Sequence, residues 1–363
     1  DGTCTANITS NGSGQLSNRN KIINGAMVLA QRGTSFTPSS TEQPYTLDRF
    51  QHIGTSGIDF DSTDTQSTDA PEGFAYSMKV TPDSTDSPTG SMNACIRTAL
   101  EGQDLQDLKY GTSNAKKITL SFYAKSSSQN NSHQYSVELV HYDSSNTRRQ
   151  INRAFTITSS WQRFTMTFDG DTSNNIVNGN GAGYQVIFHL ATGSSDIATR
   201  TSWTTNALFN APTGQSNFLD NTSNEFYLTG VQLEVGSVAT DFEHRSYAQE
   251  LALCQRYCYV LCEGLNTPLG NGTCWSASNV FIPVIFPVKM RSGPTMSVVT
   301  GTNYYSHYYG GTSANESGAN FSLAVSLSTG CEIYDNSTNV TQNASCFSRN
   351  QNAASKITLS AEL

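Results

Sequence analysis

The sequence predicts a mainly β protein with an antiparallel β-sandwich, a short linking helix and a smaller C-terminal β-domain. Three observations carry this expectation. Apolar and polar residues alternate with a period of two through five runs between positions 117 and 235. Only 14% of the 363 residues are charged, and Ser, Thr, Asn, Gln and Gly fill the stretches between runs, as polar turns joining strands require. The period then changes once, after Phe242, to spacings of three and four.

Residues 1–20 are polar, rich in Gly, Ser and Asn, and read as a linker or arm. The chain opens at Asp1 with neither an initiator Met nor a signal-peptide pattern, which suits a processed or internal start. The sandwich is expected over 21–245. Asn24-Gly25 is a tight-turn pair ahead of a short apolar run. Asp48-Arg49-Phe50 sets an acid, a base and an aromatic side by side, a trio suited to tying one strand to another. Four runs then place one apolar face each: Ile118, Leu120, Phe122 and Ala124; Tyr135, Val137, Leu139 and His141; Phe164, Met166 and Phe168; Tyr184, Val186, Phe188 and Leu190. In the fifth run the inward set is Phe226 and Leu228, then Val231, Leu233 and Val235. Its phase slips by one residue across Gly230, and a β-bulge there would restore the inward face.

A linking helix is expected over 246–262, opened by the capping box Ser246-x-x-Gln249. Tyr247, Leu251, Cys254, Cys258 and Leu261 recur on one helical face, a stripe that must pack on its own sandwich or on copies of itself in an oligomer. Cys254, Cys258 and Cys262, spaced four apart, suit small apolar packing or, with a fourth ligand, a metal. The C-terminal β-domain is expected over 263–363. Pro283 marks the run 280–286 as an edge or bulged strand, and 294–299, 321–327 and 357–363 supply further strands.

Composition narrows the function classes. A net charge of −8 argues against nucleic acid as a partner, because phosphate binding needs clustered Lys and Arg. No apolar run is long enough for a membrane-spanning helix. The sequence shows no nucleophile elbow, zinc-protease helix or phosphate loop, and Asp169-Gly170-Asp171 reads as a turn, so an enzyme is not expected. Asp59, Asp61 and Asp64 offer hard oxygen ligands for Ca²⁺, or else form a solvated loop; no other cofactor is suggested. Eight cysteines are sparse for a disulfide scaffold and suit free thiols, although Cys331 and Cys346 flank a polar loop that a bridge would close on oxidation. The densest aromatic stretch holds Tyr304, Tyr305, His307, Tyr308 and Tyr309. On a strand it puts aromatics on both faces, one for the core and one for a partner, either a subunit or a glycan.

Three stretches together resemble a family of bacteriophage structural proteins found in tail fibres and virion appendages of marine phages. They are Ile23-Asn24-Gly25-Ala26-Met27 with Ala30-Gln31-Arg32-Gly33-Thr34-Ser35-Phe36 and Tyr45-Thr46-Leu47-Asp48-Arg49-Phe50; Leu228-Thr229-Gly230-Val231-Gln232-Leu233-Glu234-Val235-Gly236 with Ala239-Thr240-Asp241-Phe242-Glu243; and Arg245-Ser246-Tyr247 with Glu250-Leu251 and Leu253-Cys254-Gln255-Arg256-Tyr257. The likeness spans about residues 20–260; position 241 is Asp where the pattern has Pro, and 264–363 matches only at Phe286-Pro287-Val288-Lys289-Met290-Arg291. Val-Gln-Leu-Glu-Val-Gly and Trp161-Gln162-Arg163-Phe164 are also similar to carbohydrate-binding jelly rolls. The resemblance implies a jelly-roll sandwich in a homotrimeric tail fibre or appendage on the virion's outer surface. Its partners would be other virion proteins and a host-surface polysaccharide. A capsid decoration or spike protein without a receptor role, and a secreted carbohydrate-active enzyme or lectin, are the alternatives.

Overall fold

The computed structural model describes residues 18–206, 208–316, 321–336 and 340–363; residues 1–17 of the expected arm lie outside them. The chain divides into two compact units, Asp1–Tyr247 with Leu363, and Ala248–Glu362.

The first unit is an antiparallel β-sandwich of jelly-roll type. Its strands are β1 (Ser35–Phe36), β2 (Gln51–Thr55), β3 (Ser62–Ser67), β4 (Ser77–Pro82), β5 (Asn93–Glu101), β6 (Ile118–Ser126), β7 (Gln134–Tyr142), β8 (Arg148–Thr156), β9 (Gln162–Phe168), β10 (Ala182–Thr192), β11 (Thr204–Thr205) and β12 (Phe226–Val235). They form two six-stranded sheets, ordered β1-β3-β4-β12-β6-β9 and β11-β8-β7-β10-β5-β2. The alternating faces read from the sequence meet in one core: Ile118, Leu120 and Phe122 from one sheet pack with Val137, Leu139, Val186 and Phe188 from the other, all fully buried. Burial of so much aliphatic and aromatic surface is the main stabilising term here, at roughly 25 cal/mol per Å² removed from water.

Strand β12 holds the predicted bulge. Gly230 has φ +60°, and the register with β6 shifts between Thr229 and Gln232. The bulge leaves the Val231 amide without a partner in its own sheet, and that amide donates to the Gly25 carbonyl at 2.9 Å. Asn24-Gly25 therefore does not close a hairpin. It presses the chain's entry segment against the bulge so closely that a Cβ on Gly25 would lie 2.1 Å from the Val231 oxygen. Asn20 reinforces the contact, its Nδ2 donating to the Val231 carbonyl (3.1 Å) and its Oδ1 accepting from the Leu233 amide (3.1 Å). The segment after β12 returns to the same place: Glu243 accepts from the Asn20 amide, and its own amide donates to the Gln232 side chain, each at 2.8 Å. Asp48 and Arg49 are buried; Asp48 accepts from the Gln31 amide (2.6 Å) and side chain (2.7 Å), and Arg49 donates to the Ala99 carbonyl on β5. The residues that carry the family resemblance thus close the sandwich on itself.

The helix is shorter than expected. α1 spans Tyr247–Gln255, and Cys258 and Leu261 belong to a strand, β13 (Cys258–Glu263), not to the helix. The stripe of Tyr247, Leu251, Cys254, Cys258 and Leu261 does not form: Tyr247 is 64% exposed, whereas Cys254 and Cys258 are buried. The cause lies in Tyr257-Cys258-Tyr259-Val260, whose aromatic and β-branched residues favour a strand, and in the partner that Lys356–Ser360 offers along their length. The Tyr257 amide closes the last turn on the Cys254 carbonyl, and the Tyr257 carbonyl already accepts from Ala361.

The second unit continues with β14 (Pro268–Cys274), β15 (Val280–Ile285), β16 (Thr295–Val299), β17 (Tyr305–Tyr309), β18 (Thr312–Glu316), β19 (Phe321–Leu327), β20 (Gly330–Asp335), β21 (Ser345–Asn350) and β22 (Lys356–Ser360). A three-stranded sheet, β13-β22-β16, and a seven-stranded sheet, β18-β17-β21-β14-β15-β20-β19, share one core that includes Ile282, Ile333, Tyr305, Ile357 and Leu359. β15 lies inside the sheet, but β14 pairs only with its Val280 and Phe281, so Pro283 falls in the half with a single neighbour. Cys331 and Cys346 sit on β20 and β21 with two strands between them, roughly 14 Å apart at the usual strand spacing, which rules out the expected bridge.

Gly230→Ala is expected to destabilise the first unit by about 2–4 kcal/mol, from a left-handed backbone forced on an L-residue and a Cβ driven into neighbouring rings. Those rings are Phe74 and Tyr123, each with an atom 2.8 Å from the added carbon. Denaturant unfolding measures it; a loss below about 0.5 kcal/mol, within the range of an ordinary surface change, would contradict the account.

Candidate functional site

The aromatic stretch folds into the hairpin β17–β18. Gly310 and Gly311, at φ +50° and +82°, form its two-residue turn, a backbone only glycine adopts without strain. Strand alternation then divides the five candidate residues. Tyr305 is buried, its hydroxyl donating to the Val299 (2.8 Å) and Lys356 (3.2 Å) carbonyls. His307 is wholly buried between Ser348 (2.7 Å) and Asp335 (3.3 Å). Tyr304 packs against the same core and lays its ring over Gly301. These three are structural. Tyr308 faces outward and Tyr309 borders the same opening; together with Asn271, Ser345, Phe347 and the glycine turn they line a surface cleft of about 810 Å³.

The cleft is pre-organised. Tyr308, Phe347 and Asn271 occupy facing positions on β17, β21 and β14. The Tyr308 ring lies 6.5 Å from that of Phe347, and the Arg349 guanidinium stacks 4.6 Å from its centroid. Arg349 (2.8 Å) and Gln351 both donate to the Tyr308 hydroxyl, fixing the ring without occupying its open face. Among the described residues no charged side chain lines this cleft, and the Arg349 guanidinium lies beside it against the Tyr308 ring.

Sequence reasoning missed the neighbours of this cleft. On β15, Val280, Ile282 and Val284 point into the core, while Phe281, Pro283 and Ile285 point out. Phe281 stacks on Tyr334 of β20 at 5.6 Å and meets Trp275 edge-on at 6.3 Å; Trp275 is 68% exposed. Trp275, Phe281, Pro283, Thr273 and Glu332 line a second depression of about 470 Å³. The available signal was a run, Val-Phe-Ile-Pro-Val-Ile, that is apolar at both phases of the strand period and so cannot hide both faces in one core.

The Ca²⁺ expectation is not met by geometry. Asp61 accepts from the Ser40 amide (2.9 Å), Asp64 is buried against Ser62 (2.7 Å) and His52 (3.4 Å), and Asp59 is exposed, so the three carboxylates do not converge. Among the described residues no group of three or more His, Cys, Asp or Glu is placed to hold a metal ion, Cys254, Cys258 and Cys262 included.

What the scattered histidines form instead is a set of buried pairs with carboxylates: His52–Asp64, His141–Asp171, His189–Glu138 and His307–Asp335. Asp171, read as a turn residue, is the most connected. Burial works to raise its carboxyl, but His141 (3.0 Å), Arg149 (2.8 and 3.1 Å) and the Ser173 amide (2.9 Å) outweigh it and hold it well below the usual carboxylate range. Burial pushes the His141 imidazole down, and its Nδ1 has no hydrogen-bond acceptor that a second proton would need.

No protein-family profile matches the chain, and no curated protein matches it. Solved structures give weak likenesses over part of the chain. The enzymatically active domain of a tailspike from bacteriophage CBA120 is 11% identical, with a TM-score of 0.32, over 60% of this chain and 21% of that one. A family 16 carbohydrate-binding module is 15% identical, with a TM-score of 0.28, over 59% of this chain and 99% of its own. A family 11 carbohydrate-binding module from a Clostridium thermocellum cellulase is 11% identical, with a TM-score of 0.30, over 57% and 96%. The functional argument below draws on the chain's own residues.

The His141–Asp171 pair sets an acid sensitivity. Both groups hold fewer protons in the folded state than in the unfolded one, so stability is full at neutral pH. It falls first as pH drops below about 6.5, where unfolded histidine takes a proton, and again below about 3.9, where unfolded aspartate does. Thermal melts across pH 7.5 to 3 measure it, with His141→Gln expected to flatten the upper limb. An unchanged upper limb in that variant would contradict the assignment.

Proposed function

We propose that this chain is a non-enzymatic bacteriophage virion protein, a homotrimeric tail-fibre or appendage subunit on the particle surface, that holds a host-surface glycan in the Tyr308 cleft. The observation that carries the binding reading is the cleft's composition: two aromatic faces, Tyr308 and Phe347, beside the hydroxyl of Ser345 and the amide of Asn271, with no charged residue among those described in its lining. A pyranose is amphipathic in the same sense, with an apolar C–H face to lie on a ring and a rim of hydroxyls for polar neighbours. The ring of Tyr308 is already immobilised by Arg349 and Gln351, so little side-chain entropy is lost on binding.

The virion reading rests on the three-part sequence resemblance. Its residues close the jelly-roll sandwich, which suits a repeating structural part more than a site of chemistry. The buried histidines support the non-enzymatic reading: each already shares its imidazole with a carboxylate inside the fold and is sealed from a substrate.

Glycan-array screening of the purified chain tests this, with Tyr308→Ala expected to lower binding about tenfold or more, the scale of losing a central aromatic anchor. Full binding by that variant, or no glycan bound by the native chain, would refute the cleft. Multi-angle light scattering tests assembly, and a monomer at working concentration would refute the trimer.

A further inference from the structure

We infer that the ligand of this sheet is an extended, uncharged oligosaccharide laid across the strands, rather than a single sugar or a polyanion. The inference rests on the glycan reading above and concerns what kind of glycan the site takes.

Its first ground is continuity. The Tyr308 cleft does not end at β14. Asn271 faces it, while Thr273, two residues along the same strand and on the same face, borders the second depression with Trp275 and Phe281. Thr273 pairs with Phe281, and Phe281 pairs with Tyr334, so the outward face continues from the first depression to the second across neighbouring strands. Beyond Glu332 a third depression of about 420 Å³ follows, lined by Ile285, Val325 and Leu327. From β17 to β15 the sheet order gives three inter-strand steps, roughly 14 Å, and to β19 five, roughly 24 Å. A monosaccharide fills one end of such a surface; a linear chain is needed to use both aromatic centres.

The second ground is the alternation of chemistry along that path. Ring faces at Tyr308 and Phe347 give way to the polar groups of Asn271, Ser345 and Thr273, then to rings again at Phe281, Tyr334 and Trp275. Stacked Phe281 and Tyr334 stand 23° from parallel and hold each other in place, a rigid platform of the sort that binds at low entropic cost. Stacking and hydrogen bonding in alternation suit successive sugar rings.

The third ground is charge. Glu332 is the one ionisable acid or base among the residues lining all three depressions, apart from tyrosines and Cys331 and Cys346. It forms no ion pair among the described residues. An ionised carboxylate accepts hydrogen bonds from hydroxyl groups but repels uronate, sialate or sulfate. Among the described residues no cation lines the three depressions to offset that repulsion, and the Arg349 guanidinium beside the Tyr308 cleft is already engaged with the Tyr308 ring and hydroxyl.

The test is binding of the full chain to an array of linear oligosaccharides, neutral and uronate- or sulfate-bearing, graded from monosaccharide to hexasaccharide. Neutral chains should bind and gain affinity with length. Trp275→Ala should lower the affinity for the hexasaccharide about tenfold and bring it close to that of the disaccharide, with the melting temperature unchanged because Trp275 is exposed. Tyr308→Ala should weaken ligands of every length. If neutral sugars bind equally at all lengths, if polyanions bind best, or if Trp275→Ala has no effect while Tyr308→Ala abolishes binding, the extended site is wrong and the glycan reading survives. If the native chain binds nothing on the array, both fall. If Trp275→Ala instead lowers the oligomeric mass, the face is a contact between copies and the inference is overturned.

Discussion

The hydrogen bond from the Val231 amide to the Gly25 carbonyl is the constraint on which the first unit depends. Strand β12 is buried along its whole length, so neither phase of its alternation can face water. A bulge at Gly230 turns both halves inward, but it orphans a backbone amide in a place with no solvent. A second piece of backbone lying against the strand satisfies that amide, and only glycine permits the approach that Gly25 makes. The entry segment, the bulge and the returning segment through Glu243 are therefore one device. Its residues are the ones that resemble phage structural proteins, and folding alone accounts for them.

This explains what was legible in the sequence and what was not. The central strands were legible because their period is two and their core face is continuous; the bulge was legible because the phase slipped at a glycine. The linking helix was half legible. Spacings of four fit Cys254 and Cys258 to a helix, yet Tyr257-Cys258-Tyr259-Val260 alternates as a strand too, and the choice was made by a partner strand about a hundred residues away, β22, which no local pattern reveals. Within the aromatic hairpin, composition pointed to the right element but not to the right face. Tyr305 and His307 look as functional as Tyr308 until the register with Ser348 and Phe347 is known.

The two units place their chemistry in opposite ways. The first unit buries several of its titratable groups against one another. His141, Asp171 and Arg149 satisfy one another beneath Trp203, whose indole meets the His141 ring at 4.9 Å, and His189 and Arg148 both bear on Glu138. Buried ionic groups of this kind are weak contributors to net stability but are costly to break singly, so they fix local geometry. Its charged and aromatic residues at the surface are likewise engaged with each other: Lys125 bonds Asp69 and lies 4.6 Å from the Tyr227 ring centroid, and the Trp161 indole donates to Asp69 at 3.0 Å.

The second unit does the reverse. It has enough aliphatic residues to fill one core, and its seven-stranded sheet still turns Trp275, Phe281, Ile285, Val325, Leu327 and Phe347 outward. Isolated exposed apolar residues are ordinary, but a continuous set on one sheet face is costly to leave in water and marks a surface that something covers. The aromatic end differs from the aliphatic end in one respect that matters. Around Tyr308 and Phe281 the rings are interleaved with Asn271, Ser345 and Thr273, which a purely apolar partner would strip of water without replacing their hydrogen bonds. A partner that brings its own hydroxyls alongside an apolar face avoids that cost, and the placing of rings on β17, β21, β15 and β20 around the polar groups of β21 and β14 is the reason to look for a sugar chain there first.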